Sequence, residues 1–365
     1  MQYRALGNTG ATVSVLGFGA MRLPRKNGKY DDDYSVQLIH KAFENGVNYL
    51  DTAPGYCDDQ SERICALALK GWRDKVYLST KNGCGGDPSG KNFRERLEKS
   101  LKALEVDCID FYQFWGLNLK GWQENILARG GPLDEAKRAK TEGLIKHICF
   151  SYHDKPENAL PILDSGELDC MTIQYNIMNR GNELPIAHAY EKGIGVVVMG
   201  PVGGGILGTP SPTIASLAPN VESTAEMALR FVWSNPAVST AISGMNHMSQ
   251  VEENLHTADL AEPLSAQERA QVLAQLEEFK RLGEKFCTEC GYCMKCEQGV
   301  DIPKNFHLYN YANLYGLEDW ARREYARLEG KAELCTECGV CEPKCPQNIP
   351  IIDQLKQVRA RFGES

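Results

Sequence analysis

Short apolar runs alternate with helix-period stretches eight times between residues 13 and 258, and no other feature restricts the fold as much. The apolar runs are Val13 to Gly19, Tyr49 to Ala53, Val76 to Lys81, Ile109 to Trp115, His147 to Ser151, Cys170 to Tyr175, Gly195 to Gly200 and Thr240 to Gly244. The stretches between and after them are 33–45, 60–70, 92–104, 133–142, 156–164, 184–192, 224–234 and 248–258. In the first of these, Val36, Leu38, Ile39 and Phe43 fall at helical spacing and Gly46 stops the helix. Continuous apolar strands such as G-V-V-V-M-G suit parallel strands buried on both faces. Eight strand–helix units in about 250 residues predict an α/β fold, a closed (β/α)8 barrel rather than an open sheet. Tyr3 to Leu6, the G-N-T-G turn and the run after it read as an opening hairpin that caps the barrel bottom. Residues 265–282 read as a further helix, N-capped by Ser265 and ended by Gly283.

In such a barrel the chemistry sits where the strands end. Here those ends are Gly19, Asp51, Lys81, Trp115, Ser151, Gln174, Met199 and Ser243. Asp51 opens the turn D-T-A-P-G-Y, so Asp51, Tyr56 and Lys81 share one mouth. A lysine beside a tyrosine favours phenolate, and a carboxylate beside the lysine keeps the ammonium charged. These three residues are therefore the candidate acid–base group.

Cysteine density marks a second domain. Of the 14 cysteines, eight lie in two runs after residue 286: Cys287, Cys290, Cys293, Cys296, then Cys335, Cys338, Cys341, Cys345, the last followed by Pro346. The second run has the spacing of bacterial ferredoxins, and the first is one residue shorter in its last gap. Three thiolates of each run wrap one cubane, and the fourth turns to the other. The spacing predicts two [4Fe–4S] clusters, one on Cys287, Cys290, Cys293 and Cys345, the other on Cys335, Cys338, Cys341 and Cys296. Zinc is the competing occupant, since paired C-x2-C also binds it. Both runs continue alike, G-V-D-I-P at 299–303 and N-I-P-I at 348–351, and residues 305–330 between them read as helix. The expected division is a barrel of residues 1–283 and a mostly helical cluster domain of 284–365.

Composition excludes several classes. A net charge of −8 argues against nucleic acid or an anionic membrane as partner. No apolar run approaches the roughly 20 residues that cross a bilayer, and the N-terminus lacks the apolar core of a signal peptide. A cytoplasmic location is expected, where paired cysteines serve metals rather than disulfides. The partners expected are a small-molecule substrate and an electron-transfer protein.

Residues 1–280 resemble the aldo-keto reductases. The resemblance rests on G-F-G-A-M, D-T-A-P-G-Y, S-T-K, I-D-F-Y, H-I-C-F-S, I-Q-Y-N, M-G-P-V-G-G-G and S-G-M followed by Q-V-E-E-N. It implies that Tyr56 donates a proton to a carbonyl as nicotinamide gives hydride, with Lys81 lowering the tyrosine pKa and Asp51 pairing with Lys81. The family's histidine at the end of the fourth strand is Trp115 here. An indole N–H donates a hydrogen bond but shuttles no proton, and His153 is the imidazole that could reach the same mouth. By the same resemblance Ser151, Gln174 and Asn176 hold the nicotinamide carboxamide and Met199 packs on the ring. Gly203 and Gly204 let backbone approach the pyrophosphate, and Ser243, Gly244, Gln250, Glu253 and Asn254 surround the adenine end. Only His247 offers a cation there, which favours NAD(H) over NADP(H). Reductases with such a cysteine-rich extension form a recognisable group.

Three readings stay open on the sequence. The first is an NAD(P)-dependent oxidoreductase. The second is an electron-transfer or redox-sensing protein. The third is a barrel enzyme performing proton abstraction or elimination because Trp115 replaces histidine. Cys57, which follows Tyr56, and Cys84, three residues after Lys81, are either mouth thiols or inert ones.

Overall fold

A computed structural model of the chain describes residues 1–83, 87–260, 263–282, 287, 290–346 and 348–363. Cys84 and Gly283 lie outside the described residues. Eight strands close a barrel in which every neighbouring pair is parallel. They are β1 (Leu16–Gly19), β2 (Tyr49–Asp51), β3 (Tyr77–Asn82), β4 (Ile109–Leu117), β5 (Ile145–Tyr152), β6 (Cys170–Gln174), β7 (Gly195–Met199) and β8 (Thr240–Ser243). The helices that follow them are α1 (Asp32–Glu44), α2 (Ser61–Leu69), α3 (Gly90–Leu104), α4 (Pro132–Thr141), α5 (Ala159–Leu163), α6 (Glu183–Glu191), α7 (Thr224–Trp233) and α8 (Met248–Asp259).

One apolar run splits. Thr12–Ser14 pairs antiparallel with Tyr3–Ala5 as the hairpin, and only Leu16–Gly19 joins the barrel. The change of partner falls at Val15, where the Ser14 hydroxyl donates to the Leu16 carbonyl at 2.6 Å. Leu6, Ala11 and Val13 of the hairpin segment plug the barrel bottom against Tyr49, Phe111, Cys149, Cys170 and Val197. That plug needs glycine at the start of β7, because a Cβ on Gly195 would lie 2.7 Å from Leu6 and 2.9 Å from the Cys170 sulfur.

The chain forms two compact units, residues 1–204 with 228–264, and residues 205–227 with 265–365. Division by contact and division by cysteine density thus differ over residues 205–227 and the helix α9 (Ala266–Leu282). In the second unit the stretch expected as one helix is two, α10 (Ile302–Tyr315) and α11 (Glu318–Arg327). Gly316 breaks them with φ of 61°, the left-handed region that L side chains avoid. A last helix, α12 (Ile351–Phe362), buries Leu355, Val358 and Phe362. No helix among the described residues is long and apolar enough to cross a membrane.

Candidate active site at the barrel mouth

The ends of β2 and β3 bring Asp51 and Lys81 together, each 2% exposed. Lys81 Nζ donates to Asp51 Oδ1 at 2.8 Å, to Asp51 Oδ2 at 2.7 Å and to the Thr52 carbonyl at 2.8 Å. Asp51 Oδ1 also accepts from Ser79 Oγ at 3.1 Å and from Gln113 Nε2 at 3.2 Å. Buried polar groups need such partners, and the converging donors satisfy the carboxylate oxygens. Burial works against the Lys81 charge, but Asp51 and Tyr56 outweigh it, so the ammonium titrates above an ordinary lysine.

Tyr56 lies over this pair, with Lys81 Nζ 4.8 Å from its ring centroid. Burial pushes the phenol up, Lys81 pulls it down, Asp51 adds to the rise, and the net is above an ordinary phenol. The D-T-A-P-G-Y and S-T-K motifs carry the sign of the Lys81 effect but not the balance, because the desolvation of a half-buried ring is invisible in a motif. After Tyr56 the backbone is left-handed at Cys57, Asp58 and Asp59, with φ of 55°, 50° and 64°. Non-glycine residues rarely take this conformation, and such strain concentrates at functional sites. Cys57 is buried, donates to the Ala20 and Met21 carbonyls at 3.4 Å, and has its thiol pushed up by burial. It is a packing thiol in this geometry.

Trp115 stands edge-on to Tyr56, at 5.7 Å between ring centroids and 88° between planes. It lies in a bulge, where the β4–β5 register shifts between Phe114 and Leu117. Gly116 takes φ of 66°, and its N–H donates to Ser151 Oγ at 2.8 Å. Bulges re-aim side chains beside active sites. Gly55 makes room for the indole, since a Cβ there would be 3.2 Å from the ring. His153 is exposed on the loop after β5. Desolvation by the mouth wall and the Lys81 charge both hold its imidazole below the usual value.

The remaining sequence candidates line the other side of the mouth. Gln174 is exposed at the end of β6 and Met199 half-buried at the end of β7. Asn176 is buried, donating across to the Gly200 carbonyl after β7 at 2.9 Å and accepting from Met178 and Asn179 N–H of its own loop at 3.0 and 2.8 Å. Gly203 and Gly204 have φ of 58° and 69°. Asn254 Nδ2 donates to Ser243 Oγ at 3.1 Å, and Gln250 Oε1 accepts from Asn246 N–H at 2.9 Å. Gln250 and Glu253 are exposed on α8.

Sequence reasoning missed Arg22, just beyond β1. Its Nη1 donates to the Gly204 carbonyl at 2.6 Å, and its stem passes 3.9 Å from where a Gly244 Cβ would stand. One guanidinium thus spans the two glycine segments. The signal available was the G-F-G-A-M-R run itself, since an arginine three residues past a barrel strand lies at the mouth.

In the second unit Cys287, Cys290, Cys293 and Cys345 line one pocket, walled otherwise by Gly291, Ile302, Phe306, Pro346, Ile349 and Ile351 among others. This is the crossed set expected for one cluster, with the Cys of the second run closing the first. The apolar wall and thiol donors fit an iron–sulfur cube. Among the described residues no three His, Cys, Asp or Glu side chains converge on a single-ion position. In the other set, Cys341 lies close enough to Cys335 and Cys338 to feel their charge.

A parallel (β/α)8 barrel with a buried lysine–carboxylate pair under a tyrosine at its C-terminal mouth defines a class of barrel oxidoreductases. Residues 15–277 match the aldo/keto reductase family, and residues 286–349 match the 4Fe-4S dicluster domain. The chain belongs to the aldo/keto reductase family and carries a C-terminal 4Fe-4S dicluster domain. L-galactose dehydrogenase of Arabidopsis thaliana is 27% identical over 316 residues, covering 77% of this chain and 96% of that protein. NADH-specific methylglyoxal reductase of Escherichia coli is 31% identical over 226 residues, covering 55% of this chain and 68% of that one. An aldo-keto reductase of Bacillus halodurans, solved in its holo form, superposes with a TM-score of 0.66 at 28% identity, covering 75% of this chain and 96% of that chain.

Proposed function

We propose that the barrel catalyses nicotinamide-dependent interconversion of a carbonyl and an alcohol, with Tyr56 as the proton donor and acceptor. The observation that carries this reading is Lys81 held between Asp51 and Tyr56 with its charge secured. The bound nicotinamide supplies or takes the hydride. Tyr56 gives its phenolic proton to the carbonyl oxygen in reduction and takes it back in oxidation. Lys81 stabilises the phenolate left behind, and Asp51 keeps Lys81 in place. Trp115 shields one edge of Tyr56 from water and offers an indole N–H to an oxygen at the mouth.

The residues present fit the cofactor. Ser151, Gln174 and Asn176 would hold the carboxamide side and Met199 the ring face. The left-handed Gly203 and Gly204, together with Gly244, leave a cradle without Cβ atoms, and Arg22 brings a charge-assisted donor to it. NAD(H) is the preferred form, as exposed His247 is the only cationic side chain between Ser243 and Asn254. The name of the Escherichia coli relative fits that preference.

Two [4Fe–4S] clusters, one per crossed cysteine set, occupy the second unit. Cys290 and Cys338 are exposed, and beside them Tyr292 and Val340 are 67% and 57% exposed. Apolar residues at exposed cluster edges favour a second role, in which the clusters exchange single electrons with a partner protein.

The barrel reading is tested with anaerobically purified holoprotein. NADH should quench intrinsic fluorescence or protect the chain on titration. Tyr56→Phe should lower turnover of any accepted carbonyl by roughly 10²- to 10⁴-fold while leaving cofactor affinity within about twofold. Failure of both NADH and NADPH to bind would sink the hydride reading.

A further inference from the structure

Lys81 and Asp51 set the acid, and beneath them the barrel holds a polar group that catalysis by Tyr56, Lys81 and Asp51 does not by itself require. Strand β4 turns Phe111, Gln113 and Trp115 toward the axis, where Phe111 meets Tyr49 and Trp115 meets Tyr56. Its alternate residues Tyr112 and Phe114 face outward onto Phe93 of α3. Gln113 is thus an interior residue, 1% exposed, paired in register with Lys81 of β3 and Cys149 of β5.

Its amide is half used. Nε2 donates to Ser79 Oγ at 2.7 Å and to Asp51 Oδ1 at 3.2 Å. Oε1 is buried without a hydrogen-bond partner. The opposite amide orientation is excluded by the neighbour, because a carboxylate only accepts and cannot face a second carbonyl oxygen. A buried acceptor left unpaired destabilises the fold, whereas an apolar group of the same shape would not. Of its two donated bonds, one ends on Asp51, which anchors Lys81, and the other on Ser79. Ser79 extends the arrangement, accepting from Gln113 and donating to Asp51 Oδ1.

We propose that Gln113 is a positioning residue for the acid: with Ser79 it fixes Asp51, and through Asp51 the Lys81 ammonium, at the place that sets how firmly Tyr56 holds its proton. The inference rests on the reading of Tyr56 as the acid. Trp115 gives the arrangement its importance. In a mouth whose fourth strand ends in an indole instead of an imidazole, the tuning of the proton donor falls to the groups below it.

The test uses full-length holoprotein labelled with 13Cζ-tyrosine, with Tyr56→Phe assigning the Tyr56 resonance. Wild type, Gln113→Leu and Ser79→Ala are titrated with alkali and unfolded thermally. Gln113→Leu should stay folded, with a single cooperative unfolding transition. Its Tyr56 titration should nonetheless move to higher pH. Asp51, short of one donor, then draws more fully on the Lys81 charge and leaves less for the phenolate. Ser79→Ala should move the midpoint the same way. Reduction of a probe carbonyl such as methylglyoxal should fall about three- to tenfold in Gln113→Leu, in kcat rather than in cofactor affinity. A folded Gln113→Leu with an unmoved Tyr56 titration would overturn the proposal, as would an unmoved titration in Ser79→Ala. A moved titration in a protein that turns over no carbonyl would uphold the Gln113 link and overturn the acid reading above it.

Discussion

Burial holds the Tyr56 phenol above its ordinary value, because desolvation, with Asp51 adding to it, outweighs the pull of Lys81. The consequence for a proton donor has a definite sign. Reduction consumes the phenol form, so its rate should stay flat through neutrality and fall only above the ordinary phenol range. Oxidation consumes phenolate and should rise with pH over that same alkaline region. Were His153 the donor, its lowered pKa would place the fall of reduction on the acid side of neutral. Rate profiles in both directions from about pH 5 to 11 separate the two, and an acid-side fall that survives in Tyr56→Phe would reject the tyrosine. The placement of Asp51, Tyr56 and Lys81 at one mouth was readable in advance, since D-T-A-P-G-Y and S-T-K stand at the ends of two successive strands. Ser79, Gln113 and Arg22 were not. A polar residue inside a strand reads the same whether it faces a carboxylate or a helix, and only closure of the barrel decides which.

At the level of elements, the fourth strand departs most from a regular ladder. Its bulge carries Trp115, and Gly116 makes the bulge possible by taking φ of 66° without a Cβ. Alanine there meets open space but not an easy backbone. Gly116→Ala should cost about 1–2 kcal/mol in urea unfolding. It should also shift the indole off the Tyr56 edge, read as altered tryptophan emission and raised solvent quenching. A variant with unchanged stability and emission would mean that the bulge does not aim Trp115. The regular elements were legible because parallel strands buried on both faces are short apolar runs, and the eight strands appear where those runs stood. The irregular ones were not. Nothing in V-S-V-L-G-F-G marks Val15 as the point where the chain leaves the hairpin for the barrel. A glycine such as Gly316 reads equally as a tolerated helix residue or a break. The bulge hid for the same reason, since Trp-Gly at a strand end is also an ordinary stop.

On the scale of the whole chain, the arrangement most in need of a decision is how the two cysteine runs share their iron. The cavity lined by Cys287, Cys290, Cys293 and Cys345 takes its fourth thiol from the other run, more than 40 positions away in sequence. Such crossing would tie the two halves of the second unit through metal–thiolate bonds, in a unit built on the helices α9 to α12. The alternative keeps each run to itself, with Cys296 rather than Cys345 completing the first set. Paired serine variants separate these by counting iron in anaerobically reconstituted protein. Under the crossed arrangement Cys287→Ser with Cys345→Ser strips ligands from a single cluster, and about half of the roughly eight iron atoms should remain. Cys287→Ser with Cys296→Ser then damages both clusters, and the iron should fall well below half. The sequential arrangement reverses the two results, because Cys287 and Cys296 would share one cluster while Cys345 belonged to the other. Dithionite-bleachable absorbance and the electron paramagnetic resonance of the reduced protein should follow the iron in each case. The spectrum left by the first variant is then that of the cluster on Cys335, Cys338, Cys341 and Cys296 alone, which gives its potential without overlap from its neighbour.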